Sequence, residues 1–303
     1  MSSNPDVSPS AAPATQIGSI TDPAPRGAAF VLGGGGHLGA HEVGMLQALL
    51  ERGIAPSLIV GTSVGAINGA VVAAAPTAET VGRLEQVWSR MDEEGVFDGS
   101  ILSRLTTLAR TRTHLHGNEA LRRLLADVLP ERIEDLATPF QCVAASIERA
   151  SEHWFDRGPL VEAVMASAAV PGVLPAVELD GEHFLDGGIV NSIPVARAVE
   201  LGARTIYVLH VGRVDRPLVP PRWPWEVALV AFEIARRHRF IGDLARLPED
   251  VTVHVLPTGQ TDPPRYNDLS QLRYRDTSHI AESITRARAA TARYLDAIAP
   301  EAA

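Results

Sequence analysis

The sequence predicts an α/β protein with a parallel sheet and crossover helices, because strand-like and helix-like segments alternate from residue 28 onward. The first segment, Ala28 to Leu32, is apolar and ends at four consecutive glycines, which is typical of a buried strand. Ala40 to Arg52 has apolar residues at helical spacing and is followed by Gly53, a common helix stop. A second short strand, Ser57 to Val60, and an alanine-rich helix, Ala66 to Ala75, repeat the pattern.

The rest of the chain continues this mixture of helices and strands. Asp180-Gly181 is a two-residue hairpin signal between two short apolar runs, and Pro159 suits the first turn of a helix. The expected elements are several helices within 78–129, strands at 138–147 and 151–155 that would form a hairpin, a helix at 159–169, strands at 177–179 and 183–185, a helix at 194–201, a strand at 205–210, a helix at 225–247, a strand at 251–256 and a helix at 277–295.

Composition and charge restrict the classes of function. Hydrophobic residues make up 46% of the chain and charged residues 21%, as in ordinary globular proteins. The formal net charge of −9 argues against nucleic acid as a partner and against strong electrostatic recruitment to anionic membranes. Cys142 is the only cysteine, so the chain forms no internal disulfide. Residues 1–26 are expected to be a disordered tail, no run of about 18 apolar residues predicts a transmembrane helix, and a cytoplasmic location is therefore expected.

The segment Gly61-Thr62-Ser63-Val64-Gly65 is a G-x-S-x-G motif that directly follows a predicted strand and directly precedes a predicted helix. That context is the one a nucleophile elbow requires. Glycine at both outer positions avoids a clash between the crossing strand and helix, and the helix N-terminus favours negative charge at the serine. The motif predicts Ser63 as a nucleophile, although so short a pattern also occurs in glycine-rich turns.

A glycine-rich loop, Gly33 to Gly39, follows the first strand. Successive glycines let backbone N–H groups converge on one anion, either a phosphate or the oxyanion of acyl transfer. The loop also fits G-x-G-x-x-G, so a dinucleotide-dependent oxidoreductase is a rival interpretation. That rival needs an acidic residue at the end of the second strand, where this sequence has Ser63. We therefore predict an oxyanion hole formed by Gly34, Gly35, Gly36, His37, Leu38 and Gly39.

A third motif, Asp186-Gly187-Gly188, follows the predicted strand at 183–185. Asp followed by two glycines is usually only a turn. If the loop approaches the elbow, however, the Asp186 carboxylate would accept the proton of the Ser63 hydroxyl, and the glycines would permit that approach.

Together these motifs resemble the patatin-like phospholipase family in order and context, and the stretch from Ala166 to Pro175 is similar to the segment that precedes the Asp motif in that family. The resemblance covers roughly Gly27 to Leu209. It implies a three-layer α/β/α fold with a central, mostly parallel sheet, and hydrolysis of lipid acyl esters by a Ser63–Asp186 dyad without a catalytic histidine, a metal or an organic cofactor. It also implies a lipid or ester substrate as the partner, and a hydrolase domain at 27–300 with a C-terminal extension of helices and strands from about residue 212. The elbow and Asp-loop residues that carry the match, besides the dyad, are Gly61, Thr62, Val64, Gly65, Gly187 and Gly188.

The sequence departs from the family at Leu38, where members usually carry Arg or Lys. A cationic side chain beside the oxyanion hole is therefore missing, unless His37 replaces it. Three alternatives to an active dyad hydrolase remain: a catalytically weak or inactive lipid- or nucleotide-binding module, an α/β-hydrolase that uses a histidine, and the dinucleotide enzyme. His37 and His41 are candidates for substrate contact, whereas His210 and His279 are expected to be structural or exposed.

One segment is a candidate for transient contact with a membrane surface. Between Trp223 and Phe240 the chain has two tryptophans and the basic cluster Arg236-Arg237-His238-Arg239, which fit docking on lipid. The interpretation that we favour from sequence is a helix packed on the sheet with a solvated basic end. The sequence does not indicate an oligomeric state.

Overall fold

A computed structural model describes residues 27–93, 111, 113–211, 217–260 and 277–299, so the tail predicted at 1–26 lies outside the described residues. Strands and helices alternate as the sequence predicts. The strands are β1 (Ala28–Leu32), β2 (Pro56–Thr62), β3 (Phe140–Ser146), β4 (Ser151–Phe155), β5 (Val177–Leu179), β6 (Glu182–Asp186), β7 (Thr205–Leu209) and β8 (Thr252–Val255). The helices are α1 (Ala40–Glu51), α2 (Val64–Ala74), α3 (Ala78–Glu93), α4 (Glu119–Val128), α5 (Leu160–Ser167), α6 (Gly188–Asn191), α7 (Val195–Glu200), α8 (Pro224–Leu244) and α9 (Thr277–Ile298).

Three local features differ from the sequence-based expectation. Strand β2 continues beyond Val60 to Thr62, directly into the elbow motif. The Asp186-Gly187-Gly188 segment is followed by the short helix α6, which the sequence analysis did not predict. The end of the glycine-rich loop, Gly36–Gly39, forms a 3₁₀ turn that leads into α1. Of the helices expected within 78–129, α3 and α4 are present, and residues 94–110 and 112 lie outside the described part of the chain.

The strands form one mixed, mostly parallel sheet in the order β5-β6-β3-β2-β1-β7-β8, with β4 paired to β3. The pairs β3–β2, β2–β1, β1–β7 and β7–β8 are parallel, and β4, β5 and β6 add antiparallel pairs at one side. The predicted hairpin between β3 and β4 is present, and Asp180 and Gly181 both have positive φ in the turn between β5 and β6. Two-residue turns of that type match the twist of the flanking strands.

Helices cover both faces of the sheet and give the three-layer α/β/α architecture. Along β1, side chains alternate between two hydrophobic clusters, so that Phe30 packs on one face and Val31 on the other. The larger cluster contains residues of α1, α2, α3, α4, α5 and α9, and the smaller cluster contains residues of α7 and α8. Among the described helices, none has the length and apolar content that a bilayer-spanning helix requires.

Strands β2 and β6 meet head to head along one edge of β3. Val143 pairs with Thr62 and with Trp154 of β4, and the next residue, Ala144, pairs with Asp186 and again with β4. Because β4 occupies one edge of β3 at both Val143 and Ala144, β2 and β6 must share the opposite edge. The carboxyl ends of these two strands, at Thr62 and Asp186, therefore point towards each other.

Candidate active site

Ser63 occupies the sharp turn between β2 and α2 in a backbone conformation that few L-residues adopt. Its φ is 56° and its ψ is −124°, and its residue surface is 6% exposed. The turn is tight on both sides: a Cβ on Gly65 would lie 2.4 Å from the carbonyl oxygen of Leu32, and one on Gly61 would lie 2.7 Å from the Cα of Ala66. Only glycine fits at these two positions, and a strained serine of this kind is typical of a functional turn.

The hydroxyl of Ser63 faces the carboxylate of Asp186. Ser63 Oγ donates a hydrogen bond to Asp186 Oδ2 at 2.5 Å, and the backbone N–H of Gly188 donates to Asp186 Oδ1 at 2.7 Å. Both carboxylate oxygens are therefore fixed. Burial raises the pKa of Asp186 from 3.8 to about 6, although the hydrogen bonds from Ser63 and Gly188 act in the opposite direction.

The end of helix α5 holds both loops of the site. The Ser63 N–H donates to Ser167 Oγ at 3.0 Å, and Ser167 Oγ in turn donates to the carbonyl oxygen of Val143 at 2.6 Å. On the other side, the N–H of Gly187 donates to the carbonyl of Ser167 at 3.1 Å, and the N–H of Asp186 donates to the carbonyl of Ala169 at 2.9 Å. Ser167 is fully buried, and the sequence analysis did not single it out as a site residue.

The glycine-rich loop lies against the elbow, and its amides fall into two groups. A Cβ on Gly34 would lie 3.4 Å from Ser63 Cβ, so the loop touches the serine. The N–H of Gly34 already donates to the carbonyl of Ser192 at 3.0 Å, and that of Leu38 donates to the carbonyl of Gly35 at 3.3 Å.

The second group consists of two amides of the loop and one of the elbow, which we call open because their N–H groups lack an acceptor within the described part of the chain. The N–H groups of Gly35, Gly36 and Val64 have no hydrogen-bond acceptor among the described residues. Val64 directly follows Ser63 as the first residue of α2. These are the donors that the loop and the elbow could offer to an oxyanion.

A buried polar network supports the loop from behind. Asn68 donates to the carbonyl of Gly39 at 3.1 Å and to Glu42 Oε2 at 2.8 Å, and the indole N–H of Trp88 donates to Asn68 Oδ1 at 3.0 Å. Burial raises the pKa of Glu42 well above its usual range, against the lowering effect of the Asn68 hydrogen bond. Burial therefore favours the neutral form of Glu42, which limits the charge that the network carries into the region behind the glycine loop.

The remaining predicted residues surround this centre in supporting positions. Thr62 Oγ1 donates to the carbonyl of Asn191 at 2.9 Å, and the Val64 side chain is buried. A Cβ on Gly187 would lie 2.1 Å from the carbonyl oxygen of Val143, so glycine is required where the Asp loop crosses β3. Leu38 is partly buried, and the side chain of His37 lies outside the described part of the structure.

The histidines named in the sequence analysis are not hydrogen-bond partners of Ser63 in the described part of the structure. Within the described residues, Ser63 Oγ makes no hydrogen bond to a histidine. His41 Nδ1 lies 2.8 Å from the carbonyl of Leu38, and His210 is buried next to Gly33. The side chain of His279 is outside the described residues. Nor does the described part of the chain contain a group of three or more His, Cys, Asp or Glu side chains that could hold a metal ion.

Comparison with known proteins identifies a family. A sequence model described as "Patatin-like phospholipase" matches residues 30–199, which include Ser63, Asp186 and the whole glycine-rich loop. The match covers more than half of the chain.

Individual relatives agree with this match. The chain is 32% identical over 191 residues to a lysophospholipase named nte1 from Aspergillus terreus, an alignment that covers 63% of this chain and 12% of that protein. It is 36% identical over 170 residues to an uncharacterized NTE family protein of Mycobacterium bovis, covering 55% of this chain and 44% of that protein. It is 32% identical over 190 residues to patatin-like phospholipase domain-containing protein 6 of Mus musculus, covering 62% of this chain and 14% of that protein. The chain thus spans less than half the length of these relatives.

Solved structures share a weaker likeness. VipD from Legionella pneumophila superposes with a TM-score of 0.43 and 14% identity, covering 91% of this chain and 67% of that chain. The heterodimeric ExoU–SpcU complex from Pseudomonas aeruginosa gives a TM-score of 0.39 and 16% identity, covering 90% of this chain and 52% of that chain.

Proposed function

This chain belongs to the patatin-like phospholipase family, and we propose that it is a serine hydrolase that cleaves acyl esters of lipids through a Ser63–Asp186 dyad. The observation that carries the proposal is the 2.5 Å hydrogen bond from Ser63 Oγ to Asp186 Oδ2 at the head-to-head junction of β2 and β6. Relatives named lysophospholipase and patatin-like phospholipase support a lipid ester as the substrate class.

Asp186 acts as the general base. As Ser63 Oγ attacks the ester carbonyl carbon, its proton moves to Asp186 Oδ2 along the existing hydrogen bond. Burial strengthens the base, since a pKa of about 6 makes Asp186 a better proton acceptor than an exposed aspartate while leaving about nine-tenths of it ionised at neutral pH. The protonated carboxyl then returns the proton to the leaving alcohol.

The oxyanion is stabilised by backbone amides and by the dipole of α2. The open N–H groups of Gly35, Gly36 and Val64 are the proposed donors, because those of Gly34 and Leu38 have backbone acceptors. The N-terminus of α2 begins directly after Ser63, so its partial positive charge lies close to the developing negative charge.

Water completes the reaction. It attacks the acyl ester on Ser63, gives its proton to Asp186, and releases the fatty acid as the serine recovers its proton. No step in this sequence requires a metal or an organic cofactor.

The proposal is tested with a series of fatty acyl esters of rising chain length. Ser63→Ala and Asp186→Asn should each lower kcat by at least about a thousandfold. Matched controls are Ser89→Ala, a helix serine on α3 that bonds to Glu85, and Asp243→Asn, a buried aspartate of α8. Both controls should hydrolyse the soluble esters at the wild-type rate. Equal turnover by the wild type and both dyad variants would refute the assignment.

A second candidate, a weak or inactive lipid-binding module, is favoured by one residue, Leu38, which stands where the resemblance predicts a cation. A fluorophosphonate probe separates the two functions because it labels an activated serine without requiring the natural ester. An adduct on Ser63 that is absent in Asp186→Asn supports the hydrolase. Folded wild-type protein that remains unlabelled supports the binding module.

A further inference from the structure

Helix α8 packs on the protein through a mixed face, in which charged residues lie beside the buried Phe240. Glu226, Arg236 and Asp243 are only 8%, 9% and 5% exposed, respectively. Arg236 forms an ion pair with Glu233 at 2.7 Å, so the buried charges of the helix are compensated locally. A surface helix normally buries its apolar side and exposes its polar side. Helix α8 departs from this pattern, because it buries three charged residues beside Phe240 and leaves several large apolar side chains facing outward.

The outward side forms a continuous band along the whole helix. Its largest members are more than half exposed: Trp223 at 56%, Val227 at 53%, Ile234 at 56% and Ile241 at 56%. The intervals of three and four residues between its members place them on one face of an α-helix. We call this face the apolar stripe, and its members are Trp223, Val227, Ala231, Ile234, Ile241 and Ala245, with the exposed His238 on the same face between Ile234 and Ile241. At 1.5 Å per residue the stripe is roughly 30 Å long.

Within α8 and its ends the exposed charges have one sign, and of these Arg239 is paired with Asp243 and with Glu152 of β4. Between residues 222 and 246, the exposed charged side chains are those of Arg222, Arg239 and Arg246. The three acidic residues of this stretch lie on the inward side, at Glu226, Glu233 and Asp243. A chain with a formal net charge of −9 therefore presents exposed arginines at both ends of its apolar stripe, Arg222 and Arg246.

The helix lies next to the dyad. Phe232, on the flank of α8, packs against Gly188, since a Cβ on that glycine would lie 3.2 Å from the Phe232 ring. Gly188 in turn donates its N–H to Asp186 Oδ1. Ile189, on the short helix α6, is 40% exposed and extends the apolar surface on the same side of the molecule.

We infer that the apolar stripe is a docking face for an anionic phospholipid bilayer, with α8 lying in the plane of the headgroup–acyl boundary. Apolar side chains on one face, a tryptophan at one end and arginines at the ends are the features of interfacial helices. A second copy of the chain fits less well, because pairing two such faces would bring their end arginines together. The inference rests on the proposed lipid-ester function for the identity of the substrate, and it adds the surface from which that substrate is taken.

Vesicle sedimentation tests the docking face without requiring catalysis. The full chain carrying Ser63→Ala is mixed with vesicles of phosphatidylcholine alone, or of phosphatidylcholine and phosphatidylglycerol in equal parts. We expect binding to both, and tighter binding to the anionic vesicles. Adding Ile234→Asp and Ile241→Asp should weaken binding to both by about tenfold or more, because apolar burial is lost and negative charge is introduced. Arg222→Gln with Arg246→Gln should weaken binding about tenfold to the anionic vesicles alone.

Matched controls lie on other surfaces of the protein. Ile147→Asp changes an isoleucine that is 50% exposed beside the β3–β4 turn, and Arg123→Gln removes an exposed arginine of α4. Both should bind vesicles as the parent does. If the aspartate variants unfold, Ile234→Ser with Ile241→Ser serves instead, with the same expected loss of binding.

Three results would overturn the docking face: no vesicle binding by the parent protein, unchanged binding by the stripe variants, or a dimer in light scattering that the stripe variants convert to monomer. Hydrolysis is measured separately, on a soluble short-chain ester, with proteins that retain Ser63. There the stripe variants should match the wild type, and their rate on vesicle lipid should fall with their binding. A chain that binds vesicles but hydrolyses no ester would refute the proposed function and leave the docking face standing.

Discussion

The N–H of Ser63 is held by the side chain of Ser167, whose Oγ lies 3.0 Å from that nitrogen. The same hydroxyl donates to the carbonyl of Val143, and the Ser167 carbonyl accepts from the N–H of Gly187. One buried residue thus connects the serine turn, the central strand β3 and the Asp loop. Because Ser63 has a strained backbone with φ of 56°, this connection is a means of holding the dyad in register.

We expect Ser167→Ala to lower kcat by about tenfold or more, with little change in KM. The Ser63 N–H and the Val143 carbonyl would lose their buried partner, which should also lower the free energy of unfolding by about 1–3 kcal/mol. Steady-state kinetics on a soluble ester and urea unfolding measure the two effects. Ser89→Ala is the matched control and should change neither. Wild-type kcat in a destabilised Ser167→Ala protein would show that Ser167 serves the fold alone.

In the proposed mechanism the ionisation of Asp186 sets the acid limb of the pH–rate profile. Since the carboxylate is the proposed base, kcat/KM should fall as the pH drops through about 6, by about tenfold per pH unit below that point. A substrate without titratable groups isolates this limb. Glu42 is a second buried carboxyl whose pKa is raised, so Glu42→Gln is the control: whatever its effect on the rate, the limb should stay near pH 6. A limb that shifts in Glu42→Gln would assign the titration to Glu42.

The raised pKa of Asp186 also lowers the free energy of unfolding at neutral and alkaline pH. A carboxyl whose pKa rises from 3.8 to about 6 on folding binds its proton more tightly in the folded state. Its stabilising contribution is complete below about pH 3.8 and is lost as the pH rises through 6, a change of about 3 kcal/mol. Asp186→Asn removes this ionisation and keeps an acceptor for Gly188 and a donor towards Ser63.

Asp186→Asn should therefore be more stable than the wild type at about pH 8, by up to about 3 kcal/mol, and the advantage should shrink towards about pH 4. Urea unfolding at both pH values measures it. Asp243→Asn replaces a buried aspartate that pairs with Arg239 at 3.0 Å, and it should show no gain at the alkaline pH. A loss of stability in Asp186→Asn at about pH 8 would contradict the cost assigned to the buried carboxylate.

Local signals in the sequence were sufficient to predict the strands, most helices and the three glycine-containing motifs. The turn at Asp180-Gly181 and the strand–Ser63–helix arrangement depend on residues that are neighbours in sequence. The junction of β2 and β6 depends instead on two strands sharing one edge of β3, more than a hundred residues apart along the chain. No short pattern encodes that pairing, and the resemblance supplied it only indirectly.

Two further features escaped sequence reasoning for physical reasons. Ser167 ends a helix that is apolar apart from Glu162, and a buried hydroxyl in such a place must find partners, but the sequence does not say which ones. Helix α8 was assigned either to lipid docking or to packing on the sheet. In the structure Phe240 is buried and Arg239 is exposed, whereas Arg236 is 9% exposed and apolar residues such as Ile234 face outward, so only part of the basic cluster is solvated.

The loop position at Leu38 offers a gain-of-function test. The resemblance places Arg or Lys here, and Leu38 is partly buried next to the open amides of Gly35 and Gly36. Leu38→Arg would add a positive charge near the oxyanion, where charge stabilisation acts mainly on the transition state. We expect kcat on a neutral ester to rise by on the order of tenfold while KM changes little. Leu38→Gln has a polar side chain without charge and should give no gain. An equal rise in both variants would attribute the effect to polarity or loop shape. No rise in Leu38→Arg would contradict the gain expected from a positive charge at this position.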